Sequence, residues 1–213
     1  MIDILSLEND FEAVIFDCDG TLVDTPPIYA DAWAAGLSLS GKPMNRDWYL
    51  LQAGMSEGVL MDAFERDFDV VLDRESVITA MRSHFLQNVH KVLEVGAVAA
   101  TVRRLAGLLP MAVASGGSRE IVTATLEGTG LWTHFDHIVT IDDVAHPKPA
   151  PDLFLHAAGL LGVNPDRCVV FEDSEQGLES ARRAGMSAID VNCIDAHERQ
   201  CGTNRGDSLQ INA

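Results

Sequence analysis

Two aspartates one residue apart, Asp17 and Asp19, close the mostly apolar run Phe11-Glu12-Ala13-Val14-Ile15-Phe16 and are followed by Gly20-Thr21. Residues i and i+2 of a strand point the same way, so both carboxylates can leave the strand end toward one pocket. Gly20 permits a tight backbone turn there. One carboxylate acting as nucleophile and the other as proton donor and acceptor would give covalent and acid–base chemistry at a single place. Against an anionic reactant each like-charge contact costs about 4 kcal/mol at roughly 4 Å and an effective dielectric of about 20, so the pair needs a hard cation. Taken alone, the same residues read equally well as an Asx-turn that ends a strand.

Three further clusters fall at similar places. Ser115-Gly116-Gly117-Ser118 follows the run Pro110-Met111-Ala112-Val113-Ala114 and opens a helical pattern. Its glycines let backbone amides approach an anion, and a helix N-terminus favours negative charge; the alternative is an ordinary strand-to-helix turn with Ser118 as N-cap. Glu172-Asp173 ends Cys168-Val169-Val170-Phe171. Without a nearby His or Cys set these acids form an all-oxygen donor group, which suits Mg²⁺ better than Zn²⁺. Acids at a helix start are also favourable without any metal. Lys148, framed by Pro147 and Pro149, has its backbone fixed on both sides and is a candidate for phosphate neutralisation.

These clusters need a scaffold that brings strand ends together. From residue 98 onward strand and helix patterns alternate: helix 98–109, strand 110–114, helix 119–128, strand 135–140, helix 151–161, strand 168–171, helix 176–184 and strand 188–191. That alternation predicts a doubly wound parallel sheet, in which ligands sit beyond the carboxyl ends of the strands. Thr25 to Val92 differs, with helical periodicity at Ile28, Ala32 and Leu37, at Val59 to Phe64, and at Ile78, Met81, Phe85 and Val89. Turn signals at Gly41-Lys42-Pro43 and Asp73-Arg74 divide it. The fold expected is α/β, with a Rossmann-like core over 1–24 and 93–213 and an inserted helical domain over 25–92. The polar tail from Asn192 to Ala213 has no readable role.

A net charge of −17 disfavours nucleic acid and anionic membrane as partners, and the chain's own cations must then overcome that field to hold any anion. Met1-Ile2-Asp3-Ile4-Leu5 lacks the basic flank and long apolar stretch of a signal peptide, so a cytoplasmic location is expected. Cys18, Cys168, Cys193 and Cys201 show no metal-type pairing and are expected to be free. His134 and His137 form a weak pair beside a strand; they and the other histidines are expected to be loop or surface residues. Trp33, Trp48 and Trp132 are expected to pack.

In order along the chain, Asp17-x-Asp19-Gly20-Thr21, Ser115, Lys148 and Glu172-Asp173 resemble the four motifs of the haloacid dehalogenase superfamily, over roughly residues 11–192. Lys148-Pro149-Ala150-Pro151-Asp152 with Val170-Phe171-Glu172-Asp173-Ser174 is similar to its β-phosphoglucomutase-like branch, and within that to bacterial fructose-1-phosphate phosphatases. The resemblance implies a Mg²⁺-dependent phosphatase of small sugar phosphates, such as a ketohexose 1-phosphate, working as a monomer through an aspartyl-phosphate. It assigns Asp17 as nucleophile and Asp19 as general acid, then base. It implies Mg²⁺ held by Asp17, the Asp19 carbonyl and Asp173 with Glu172 in support, and phosphoryl oxygens held by Ser115, Gly116, Gly117 and Lys148. It makes residues 25–92 a cap. Mutases of the branch carry a cap histidine near Tyr29 and a cap arginine, gripping a second phosphate, near Glu57. An acid at Glu57 would repel that phosphate and favours hydrolysis over a hexose-phosphate mutase. A non-catalytic phosphometabolite-binding protein is a third reading, against which all the carboxylates and the lysine are present.

Overall fold

Every residue of the first strand, β1 (Ala13–Phe16), is buried. A strand with no exposed face must be sheathed on both sides. The computed structural model, which describes residues 10–52 and 55–193, shows how. After β1 come β2 (Val23–Asp24), α1 (Pro26–Leu37), α2 (Arg46–Leu50), α3 (Glu57–Phe68), α4 (Arg74–Asn88) and β3 (Leu93–Glu94). The chain continues through α5 (Gly96–Leu105), β4 (Met111–Ala114), α6 (Arg119–Gly128), β5 (His137–Val139), α7 (Asp152–Leu161), β6 (Cys168–Glu172), α8 (Glu175–Arg183) and β7 (Ser187–Asp190). Five strands form one parallel sheet in the order β5-β4-β1-β6-β7. The architecture is the α/β, Rossmann-like one expected, with β1 at its centre.

The two-residue period of the strands sorts their side chains into two cores. Val14, Phe16, Met111, Val113, Val169 and Phe171 face one side, where they join Val98 and Val102 of α5 and Ile121 and Leu126 of α6. Phe16 stacks on Phe171 there, with ring centroids 4.8 Å apart. Ala13, Ile15, Ala112, Ala114, Cys168 and Val170 face the other side, against Leu153, Phe154 and Ala157 of α7 and Ala181 of α8. Cys18 and Cys168 are buried free thiols and Cys193 is an exposed one; Cys201 lies outside the described residues.

Among the described residues, four α-helices, α1 to α4, lie in the segment between β2 and β3. Those two strands pair antiparallel, Val23 with Glu94 and Asp24 with Leu93, so the segment leaves and rejoins the sheet body at one place. Its interior is built from α1 against α4. Trp33 and Leu37 share one buried cluster with Met81 and Phe85, and Trp48 packs on Phe64 and Phe68 while donating from Nε1 to Asp67 at 2.9 Å. Of these helices α2 has no periodicity to reveal it, being a single turn and a half capped by Asn45. The helix expected over 98–109 runs only to Leu105, because Gly107 adopts φ +78 and turns the chain. No helix of the described residues is long and apolar enough to cross a membrane.

Close helix contact within the insertion depends on Gly36, where an added Cβ would lie 2.6 Å from the Val77 carbonyl oxygen. Because that neighbour is backbone, a side chain forces α1 and α4 apart. Gly36→Ala is expected to destabilise the fold by about 1–3 kcal/mol, read as a lower urea midpoint; an unchanged midpoint would contradict this packing.

Candidate active site

The carboxyl ends of the central strands β1, β4 and β6 meet where the strand order reverses, the place where open α/β sheets bind ligands. Asp17 directly follows β1, its amide bonded to the Phe171 carbonyl at 2.9 Å. Ser115 directly follows β4, its amide bonded to the Val139 carbonyl at 2.9 Å. Glu172 is the last residue of β6. Lys148 reaches the same spot from the loop after β5. Its ammonium donates to Asp17 Oδ1 at 2.5 Å and to Glu172 Oε2 at 2.7 Å, 4.8 Å from the centre of the Phe154 ring. That loop is tied down by Ser180, whose hydroxyl donates to the Ala150 carbonyl at 2.6 Å, and by His146, which meets Asp152 at 2.8 Å.

Lys148 is buried, and burial by itself would lower its pKa; the carboxylates of Asp17 and Glu172 reverse this and hold it above the ordinary lysine value. The two carboxylates share it unequally. Glu172 Oε1 also accepts from the Asp173 and Ser174 amides at 3.1 and 3.0 Å and from the Ser174 hydroxyl at 2.8 Å. Burial pushes Glu172 up, but Lys148 and these donors outweigh it and hold its pKa low. Asp17 lacks such donors. Burial, then the charge of Glu172, hold its carboxyl well above the usual range despite Lys148.

Asp19 faces different partners. Thr25 donates to its Oδ1 at 2.7 Å and Ser115 approaches its Oδ2 at 3.4 Å. Burial raises its pKa, and these hydroxyls and Lys148 hold the rise back. The Asp17/Asp19 pair is therefore more than a turn, since its two carboxyls have opposite surroundings: an ammonium for one, hydroxyls for the other. Between them the backbone does form a turn, with the Leu22 and Val23 amides on the Cys18 carbonyl at 3.0 and 3.1 Å. Gly20 sits at φ +87, and a Cβ there would fall 2.3 Å from Asp173 Oδ2. Only glycine lets the turn pass so close to that carboxylate.

Ser115 Oγ accepts the Gly117 amide at 3.0 Å, which folds the loop back under Asp19. The loop is held from behind: the Ile141 amide donates to the Gly117 carbonyl at 3.3 Å, and Asp142 Oδ2 accepts the Arg119 amide at 2.9 Å. Ser118 does occupy the N-cap position of α6, but its side chain makes no cap bond.

Asp17, Glu172 and Asp173 offer oxygen atoms all within 4.8 Å of one another, a group able to hold a metal ion. Glu172 is the member least free to ligate, since both its oxygens are engaged. Among the described residues, the Thr21 hydroxyl donates to Asp173 Oδ1 at 2.9 Å and Asp17 Oδ1 accepts from Lys148. The hard, all-oxygen donor set suits Mg²⁺. Of the expected site residues, Asp17, Asp19, Ser115, Gly117, Lys148, Glu172 and Asp173 converge. Gly116 adjoins them, with open space where a Cβ would stand. His134 and His137 lie elsewhere, in a crevice that also includes Pro110 at the start of β4. Thr21 and Ser174 stand in the motifs read from the sequence, but their hydroxyls, like that of Thr25, have no spacing that marks them as carboxylate partners.

Residues 11–185 match the family model for haloacid dehalogenase-like hydrolases, and the chain belongs to that family. It is 37% identical over 198 residues to fructose-1-phosphate phosphatase YqaB of Escherichia coli, covering 86% of this chain and 98% of that protein. It is 31% identical to a phosphorylated carbohydrates phosphatase of Thermotoga maritima, covering 84% of this chain and 83% of that one. Among solved structures it resembles CbbY of Rhodobacter sphaeroides, determined in complex with phosphate, with TM-score 0.77 and 26% identity over 84% of this chain and 85% of that one.

Crowding of carboxylates gives a measurable consequence. Burial, with the charge of Glu172, pushes Asp173 up to about 6 from an ordinary 3.8. The metal-free fold thus holds a proton that the unfolded chain releases, and loses stability as pH rises between those values. A divalent cation competes with that proton. Mg²⁺ is expected to raise Tm more at about pH 7.5 than at about pH 5.5 in thermal melts with Mg²⁺ or a chelator; equal shifts at both would contradict the arrangement.

Proposed function

We propose that this chain hydrolyses small sugar phosphates, of the fructose 1-phosphate kind, with Mg²⁺ and through an aspartyl-phosphate at Asp17. That it is a phosphoric monoester hydrolase accords with its family and with relatives at 30% identity or more that are phosphatases. The observation that carries the mechanism is the split environment of the two aspartates. Pairs of carboxyls held in contrasting surroundings are how one site keeps a nucleophile and an acid apart.

In this reading Asp17 attacks phosphorus, the bond from phosphorus to the sugar oxygen breaks, and Asp19 gives its proton to the departing alkoxide. Burial raises both carboxyls, so a cation beside Asp17 would be what leaves it ionised as the nucleophile, while Asp19, among hydroxyls, keeps its proton for the leaving oxygen. Asp19 then takes a proton from water, whose oxygen attacks phosphorus and frees Asp17 and inorganic phosphate. Lys148, the Ser115 hydroxyl and the amides of Gly116 and Gly117 hold phosphoryl oxygens, supplying positive charge where negative charge accumulates. Asp17, the Asp19 carbonyl and Asp173 would hold Mg²⁺, with Glu172 in support chiefly by fixing Lys148. A bound Mg²⁺ supplies charge neutralisation between carboxylates and phosphoryl group. Residues 25–92 act as a cap that closes over the site and excludes water, hinged at the paired β2 and β3.

A hexose-phosphate mutase would have to seat a second phosphate, and the carboxylate of Glu57 opposes one. The deciding assay is phosphate release from a sugar-phosphate panel with and without Mg²⁺, alongside conversion of β-glucose 1-phosphate with a bisphosphate primer. Asp17→Asn is expected to lower kcat by about 10³-fold or more and Asp19→Asn by about 10²–10⁴-fold. Primer-dependent formation of glucose 6-phosphate outpacing phosphate release would overturn hydrolysis as the main reaction. Full activity in Asp17→Asn would overturn the mechanism.

A further inference from the structure

The loop that carries Lys148 reads Pro147-Lys148-Pro149-Ala150-Pro151. Its prolines bring no N–H, so only Lys148 and Ala150 have an amide to donate. The Ala150 amide is used within the loop, on the Pro147 carbonyl at 2.9 Å. Such a segment is rich in acceptors and poor in donors, and its carbonyls must be met by donors from elsewhere. Prolines fix the shape of this backbone but not its place.

Helix α8 provides the donors. The Ser180 hydroxyl donates to the Ala150 carbonyl at 2.6 Å, and Arg183 Nη1 to the adjacent Pro149 carbonyl at 3.3 Å. Residues i and i+3 share one face of a helix, so both donors meet the loop from the same side. Ser180 is fully buried. Arg183 is half exposed and is steered by Glu179, whose Oε1 accepts from its Nε at 2.7 Å. At its other end α8 holds the acceptor of the same lysine. The Ser174 hydroxyl caps the helix by accepting the Gly177 amide at 3.0 Å, and it donates to Glu172 Oε1 at 2.8 Å. Glu172 Oε2 in turn takes the Lys148 ammonium. Six residues separate Ser174 from Ser180, about 9 Å of helix. One rigid element therefore sets both the root of the lysine and the carboxylate at its tip.

We infer that α8 is the gauge that places Lys148 against the phosphoryl group, with Ser180 as a positioning residue and Arg183 beside it. This rests on the phosphatase reading above, in which Lys148 holds a phosphoryl oxygen. Both residues act through the Ala150 and Pro149 carbonyls. Without the Ser180 hydroxyl the Ala150 carbonyl loses its donor, the backbone beside Lys148 is freed, and the ammonium moves off the phosphoryl oxygen. Misplacing a group by about 1 Å can cost about 10²-fold in rate. The His146–Asp152 contact and the bond from Ala150 to Pro147 remain and limit the movement. Mg²⁺ binding is expected to respond differently. Asp17, the Asp19 carbonyl and Asp173 follow β1 and β6, and none of them belongs to the Lys148 loop.

The experiment measures the affinity for inorganic phosphate with Mg²⁺ present, and for Mg²⁺ alone, by calorimetry, alongside kcat/KM for p-nitrophenyl phosphate. It compares the wild type, Ser180→Ala and Ser180→Ala/Arg183→Met. Ser180→Ala is expected to weaken phosphate binding and to lower kcat/KM by about tenfold each, and the double variant by more, with Mg²⁺ affinity within about twofold of wild type. Thermal melts establish that each variant is folded, and Ser180→Gly repeats the comparison should Ser180→Ala not be. Phosphate affinity and kcat/KM both within about twofold of wild type in the double variant would overturn the inference. So would a loss of Mg²⁺ affinity as large as the loss of phosphate affinity, which would mean a general loosening of the site. Wild-type hydrolysis of p-nitrophenyl phosphate, lost in Asp17→Asn, tests the phosphatase reading separately: its absence in a wild type that still binds phosphate would sink that reading alone.

Discussion

A buried ammonium between two buried carboxylates is the contact on which the site is organised. Lys148 joins the end of β1 to the end of β6 through Asp17 and Glu172, in a chain whose net charge is −17. Breaking such a pair by removing one partner strands an uncompensated charge, at a cost of about 3–5 kcal/mol. The surroundings are arranged so that this does not happen: Phe154 backs the lysine, Ser180 anchors its loop, and the Glu172 carboxylate is saturated by the start of α8. Asp17 keeps fewer partners than Glu172, its side chain bonded to Lys148 among the described residues.

The helical insertion follows a similar logic at its own scale. Its interior is apolar, and the charged pair Glu57–Arg82 joins α3 to α4 at its edge. There, too, a carboxylate and a cation are matched, but with donors to spare on the arginine. The two charge systems differ in burial, and hence in how easily each is reopened. Lys148 is almost wholly enclosed, whereas Arg82 is about a third exposed.

Much of the core was legible because fully buried parallel strands read as unbroken apolar runs, as in Ala13–Phe16 and Cys168–Phe171. The site was legible for the same reason: polar residues that cap such runs are forced to one edge. What escaped was short or local. β2 and β3 are two residues each and α2 is five, too brief for any period. Gly107 ended α5 early through a backbone angle rather than a change of hydropathy. Arg82 escaped because one more arginine on a helix carrying Arg74 as well looks like solvated surface until its neighbour across the fold is known.

Gly20 and Asp173 are 153 positions apart, yet the missing side chain of one leaves room for the carboxylate of the other. Gly177 stands in the same relation to Glu172, where a Cβ would lie 2.0 Å from the carboxyl. Sterically each pair is constrained as one unit. An acid can be replaced while its glycine stays, but once the glycine carries a side chain the acid no longer fits, so the order in which the two positions can change is fixed by space alone.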